Sequence, residues 1–368
     1  MKRFLSALIL LSLLFIFCND QNNPVIPVPP DHEYEGEKLL YAFKLTGQGE
    51  RGLFYSPLDS INFQQIFTYQ ANGGDYYENY SLYYHRPYDK IIAATGSDIF
   101  FIDPDSNIVL ERLTGFSSSY SFLQNFGYGE PKIFPCHWSE NYCVYAYDIV
   151  ALINIPEMRI EKILYPSTSS GTPVDFEWFP DIDMYPGGQY LYSIAVITDI
   201  MSMTSINQLW KIDVKNGGKQ VLSTLGSGLF YTNPALVSTK DFLLLYYPKN
   251  DIIHKYSHDG FTLQDSLKLD TIGSLGYSYV DGNIVIAQDG HNGKFVSLDM
   301  DNHTEEILMP STVVSSNVFT FSKMYNGDLY ACYKISLTNT HYVANLATRT
   351  VEHQFRHDGI TKLYIIDR

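Results

Sequence analysis

The chain has 368 residues, a formal net charge of −15 and only 18% charged residues. It is long enough to bury a large core and too acidic to favour a phosphate backbone or an anionic lipid surface, which excludes nucleic acid as a natural partner. With 30 Tyr and 22 Phe it is too aromatic to be disordered, and rings with polar tips suit half-buried strands.

At the N-terminus, Lys2 and Arg3 precede an apolar run from Phe4 to Phe17, softened by Ser6 and Ser12. The run is short for a spanning helix, which needs about 20 residues, and fits the apolar region of a secretory leader. Cys18 follows directly, and a polar stretch begins at Asn19. This segment resembles a bacterial lipoprotein signal over residues 1–18, although Phe17 stands where such signals normally carry a small residue. The resemblance implies removal of residues 1–17, diacylation of Cys18, and a mature protein lipid-anchored at the bacterial cell envelope, on its periplasmic or surface side. An uncleaved anchor and a different cleavage site are the alternatives. Pro24, Pro27, Pro29 and Pro30 make residues 18–37 a semi-extended tether with no core of its own.

Residues 38–368 lack helical periodicity. Short apolar runs alternate with Gly, Asn, Asp and Pro clusters, the pattern of many short strands. A hairpin recurs, as in Phe100-Phe101-Ile102-Asp103, in Leu209-Trp210-Lys211-Ile212-Asp213 and in Phe295-Val296-Ser297-Leu298-Asp299. Taking the end of its first strand as a marker gives Asp59, Asp103, Ile155, Asp213, Ser257, Asp299 and Ala347. Their spacing is close to the roughly 40–50 residues of a four-stranded blade. The first unit, Lys38–Phe67, supplies only three strands, and one apolar strand, Lys362–Ile366, is left over at the C-terminus. On these residues the chain resembles the broad superfamily of seven-bladed β-propellers. The resemblance implies an all-β domain of four-stranded blades, with the last strand pairing near Leu39–Phe43 to close the ring. The Trp-Asp and Gly-His marks of WD repeats are missing, so no narrower family follows.

Catalytic signatures are sparse. There is no nucleophile elbow, no HExxH pair, and no dinucleotide or phosphate-loop glycine pattern. The Asp residues at strand ends read as turn caps. Asp103-Pro104-Asp105-Ser106-Asn107 and Asp299-Met300-Asp301-Asn302 lack the glycine and distal glutamate of a calcium loop. Ser257-His258-Asp259-Gly260-Phe261-Thr262 approaches a sialidase Asp-box with its glycine one residue early, and a tight turn explains it better. His353 and His357 straddle a strand end as solvated residues. No metal and no cofactor are expected. Cys136 and Cys143 are placed to bridge a short loop in an oxidising compartment, two buried free thiols being the alternative; Cys332 reads as a small core residue.

The loops carry the functional expectation. Residues 165–188 read as the longest insertion, with Trp178, Asp181, Asp183 and Tyr185 as a ligand platform of rings beside carboxylates. Trp138 and the pair Tyr76 and Tyr77 are similar candidates. The plainer reading makes these rings strand residues of the blades. Three functions stay open: a non-catalytic binding module for a glycan or protein partner, a lyase or hydrolase with a site in the central funnel, and a scaffold of an envelope complex.

Overall fold

Among the described residues, twenty-eight strands make seven four-stranded antiparallel sheets. The structure is a computed structural model. It describes residues 36–368 except 48–49, 71–79, 97, 115, 117–130, 137, 148, 166–174, 186–187, 200–203, 228–234, 248–249, 270–274, 290–292, 311–318 and 336–337. Cys18, the residues read from sequence as leader and tether up to residue 35, and Tyr76 and Tyr77 lie outside the described residues. For residues 175–182 the strand backbone alone is described.

Blade 1 consists of Lys38–Leu45, Glu50–Pro57 and Gln64–Gln70, with the C-terminal strand Ile360–Asp367 added beside Lys38–Leu45. Leu39 faces Ile366, Tyr41 faces Tyr364 and Phe43 faces Lys362, so the chain ends close the ring as the sequence implies. Blades 2 to 7 are built in chain order. Their first strands are Tyr80–His85, Lys132–Pro135, Asp175–Asp183, Ala235–Ser238, Leu275–Asp281 and Phe319–Lys323. First strands meet between blades 2 and 3, 4 and 5, 5 and 6, and 6 and 7, and the closing strand meets those of blades 2 and 7, which makes these the inner strands. Each blade's fourth strand is its outer edge.

Alternation along each strand places successive side chains on opposite faces of a blade. In Lys90–Thr95 of blade 2, Ile91 and Ala93 pack towards blade 1, while Ile92 and Ala94 pack towards blade 3. The result is seven separate apolar cores, one in each gap between neighbouring blades. The gap between blades 7 and 1 is filled by Leu40, Ala42, Tyr330, Cys332, Leu363 and Ile365. A ring of seven blades has seven gaps, so the cores establish closure independently of strand pairing.

Basic side chains clamp neighbouring blades at one rim. Lys162 Nζ donates to Asn216 O at 3.1 Å, Lys211 Nζ to His258 O at 3.1 Å, Lys255 Nζ to Met300 O at 2.8 Å, and Arg368 Nη1 to Pro104 O at 2.6 Å. In every case a cation of one blade caps the outer turn of the next. These turns otherwise expose backbone carbonyls that need donors.

Two expectations are corrected. Within the stretch read as an insertion, Asp175–Asp183 is the inner strand of blade 4, with Trp178 facing Val196 and Asp181 facing Ile194 across a bulge. Its Pro180 sits within that bulge, where a missing N–H breaks no regular ladder. Nor do Cys136 and Cys143 pair: both thiols are free and buried. Pro135 faces Cys143 directly, so Cys136, one residue on, lies on the opposite face of the sheet. Cys136 joins the core between blades 3 and 4, and Cys143 joins the core between blades 2 and 3. Burial pushes the Cys136 thiol up to about 12 and the Cys143 thiol well above its ordinary value, so both stay protonated.

Candidate functional site

All inner strands run the same way and end on one face, here termed the exit face. Chain alternation sets what stands there. Three inner strands end in a carboxylate that reaches the next blade. Asp367 ends the closing strand; one carboxylate oxygen pairs with Arg86 of blade 2 and the other accepts the backbone N–H of Tyr325 in blade 7. Asp183 ends the inner strand of blade 4. Its Oδ2 accepts Ser238 N–H of blade 5 at 2.7 Å and its Oδ1 lies 3.9 Å from Lys132 Nζ of blade 3. Asp281 of blade 6 pairs with Lys323 of blade 7 at 2.6 Å. Three carboxylates and three cations thus form a girdle around the exit, each charge answered by a neighbouring blade.

Corner residues stand above that girdle. Tyr88 of blade 2 and Tyr325 of blade 7 are 37% and 38% exposed, the highest among the described tyrosines. The Arg86 guanidinium lies between the rings of Tyr84 and Tyr325, 5.4 and 5.2 Å from their centroids. This cation–π sandwich fixes both rings while Asp367 holds the charge. Tyr88 stacks on His85 at 5.7 Å, and its hydroxyl donates to Asn141 of blade 3. Tyr185 is a half-exposed corner residue of blade 4.

Among the residues singled out from sequence, Asp183 and Tyr185 come together at the exit face, Asp183 as part of the girdle. Trp138 also lies on a corner, that of blade 3. There it packs on Tyr142 at 5.1 Å with Lys215 above the ring at 5.9 Å, covering the core between blades 3 and 4. Trp178 and Asp181 belong to the inner strand rather than to a surface loop. Arg86, Tyr88, Tyr325, Asp281, Lys323 and Asp367 escaped the sequence reading. Their common signal is position, the first corner after an inner strand, and which strands are inner emerges only when the ring is assembled.

The histidines near this face are tied into structural bonds. His258 Nε2 donates to Thr239 O at 3.0 Å, so its Nδ1 is the acceptor for the Tyr192 hydroxyl at 2.9 Å. Burial pulls His258 and His85 below the usual histidine range. Among the described residues, His303 meets the Asp265 carboxylate at 3.0 Å, but this pair lies on the outer rim of blades 5 and 6. Among the described residues, no group of three His, Cys, Asp or Glu converges with metal-ligand geometry.

No family model matches the chain, and no curated protein matches it. Solved structures do. The β-propeller domain of Cps50 (Swd1) from Myceliophteria thermophila is 12% identical, with a TM-score of 0.53 over 77% of this chain and 87% of that one. A putative 6-phosphogluconolactonase from Bacteroides fragilis is 12% identical, with a TM-score of 0.52 over 91% and 99%. A functionally unknown protein from Desulfotomaculum acetoxidans is 11% identical, with a TM-score of 0.53 over 89% and 99%. The domain is a seven-bladed β-propeller. At such identities the likeness is one of fold, and propellers host many chemistries on one scaffold.

Proposed function

We propose that this is a non-catalytic binding propeller, held at the bacterial envelope through lipid on Cys18, that takes an uncharged ligand on its exit face. The ligand is a glycan or a neutral protein surface. One observation carries the reading: the girdle charges satisfy one another, while Tyr88, Tyr185 and Tyr325 stay accessible above them. Rings held by a rigid scaffold stack on sugar faces, and their hydroxyls hydrogen-bond. A charged ligand would have to displace an existing ion pair. General acid–base work needs an unengaged acid or base beside the ligand, whereas Asp183, Asp281, Asp367 and His258 are already engaged.

An array of neutral and acidic oligosaccharides tests this directly. The wild-type domain is expected to bind neutral members, and the triple variant Y88A/Y185A/Y325A to lose at least about tenfold in affinity while still folding cooperatively. No binding to any member, together with no exit-face cross-links to an envelope protein, contradicts the reading. The anchor has its own test. Wild-type protein should fractionate with membranes and carry acyl mass at Cys18, and C18S should lose both.

A further inference from the structure

The connector His357-Asp358-Gly359 delivers the chain into the closing strand, and it is held by an unusual set of bonds. His357 Nδ1 lies 2.7 Å from Asp358 O, which can only accept, so the proton sits on Nδ1 and Nε2 presents a lone pair. Lys44 Nζ donates to that lone pair at 3.2 Å. Lys44 projects from blade 1 over the faces of Phe54 and Phe63, at 4.4 and 5.6 Å, and no carboxylate among the described residues bonds it. Its ammonium therefore depends on two rings and one neutral imidazole.

The carbonyl of the same residue engages a second histidine. His341 is fully buried and stacked on Phe355, and its Nε2 donates to His357 O at 3.1 Å; its Nδ1 has no partner. The backbone beneath is irregular here. Phe43 faces Lys362 but Lys44 faces Ile360, so the ladder slips by one residue. Beyond the slip it rests on Leu45 N–H to Gly359 O at 2.9 Å.

We propose that this junction is an acid-releasable latch: protonation of the His341–His357 pair expels Lys44 and frees the start of the closing strand. Protonated His357 sets an N–H against an ammonium, so the bond between them is lost. Protonated His341 places a charge in an apolar site faced by Lys334 from the second strand of blade 7 and by His357. The two carboxylates of the neighbourhood bond neutral donors, Asp358 accepting from Asn339 Nδ2 at 2.8 Å and Glu50 from the Thr46 hydroxyl at 2.9 Å, and neither bonds Lys44 or either imidazole. Burial, with repulsion from Lys334 and His357, lowers His341 to about 4, so release develops as pH falls from about 6.5 towards 4.

Hydrogen exchange corrected for intrinsic rates tests the latch. In the wild type, protection of residues 360–363 is expected to fall about tenfold or more between about pH 7 and pH 4.5, with the histidine-free inner strand Leu275–Asp281 unchanged. H357Q keeps an acceptor for Lys44 without titrating, and K44M removes the repelled charge; each should blunt the loss. Equal loss in all three proteins, or no selective loss in the wild type, overturns the proposal. Should H357Q fail to fold, K44M against wild type decides alone.

Discussion

The Asp299 carboxylate accepts the backbone N–H groups of Asp301 and Asn302 at 2.9 and 3.0 Å and the Asn302 side-chain amide at 2.8 Å. Asp213 repeats this with Lys215 and Asn216, and Asn345 with Ala347 and Thr348. These bonds hold the Asp299 carboxyl below the usual carboxylate range. D299A is expected to cost about 1 kcal/mol in urea unfolding, the ordinary loss for a turn cap, and to leave ligand binding intact. The capping reading was legible because Asp and Asn act on their own backbone two and three residues ahead. The fate of Cys136 and Cys143 was not legible, since spacing is silent on which face each thiol takes. Denatured without reductant, the domain should show Cys136, Cys143 and Cys332 all reactive towards a thiol reagent; Cys332 reacting alone would restore the bridge. The buried histidines set the pH response. His341, His258 and His85 all bind protons more weakly folded than unfolded. Their contribution is complete above about pH 6.5 and is lost as pH falls, for His341 towards about 4. The His341 share is on the order of 3 kcal/mol, so denaturant midpoints should be flat from about pH 7 to 8 and drop steadily below, less so in H341F.

At the scale of strands, hairpins were readable and the role of each strand was not. Phe295–Asp299 and Thr304–Met309 pair as their apolar and turn residues suggest. Asp175–Asp183 looked like an insertion because Pro180 and four carboxylates interrupt its apolar pattern, yet bulge and register keep it in the sheet. Outer strands show a second device. The pairing of third with outer strand slips at least once in every blade. Such bulges twist an edge away from other chains. The clamps make a further strand-scale prediction. K255M should cost about 1 kcal/mol in thermal unfolding, because Met300 O loses its donor, while K268M on the exposed outer strand should cost little.

Over the whole molecule, two independent features express ring closure: the pairing of Lys38–Leu45 with Ile360–Asp367, and a seventh core between blades 7 and 1. Both ends of the chain contribute, and Arg368 adds contacts to Glu37, Pro104 and Asp105. The count of seven was legible because a missing strand at one end matched a spare strand at the other. The exit face was not, because its girdle charges come from six blades and meet only in the closed ring. Closure therefore underlies both stability and the proposed binding surface. The decisive measurement is thermal unfolding of the chain lacking residues 360–368, with and without a synthetic peptide of that segment. Loss of the inner strand of blade 1, and of Ile360, Leu363 and Ile365 from the last core, should abolish or sharply lower the cooperative transition, and the added peptide should restore it. A truncated domain that melts at the wild-type temperature, with no response to the peptide, would contradict closure by this strand.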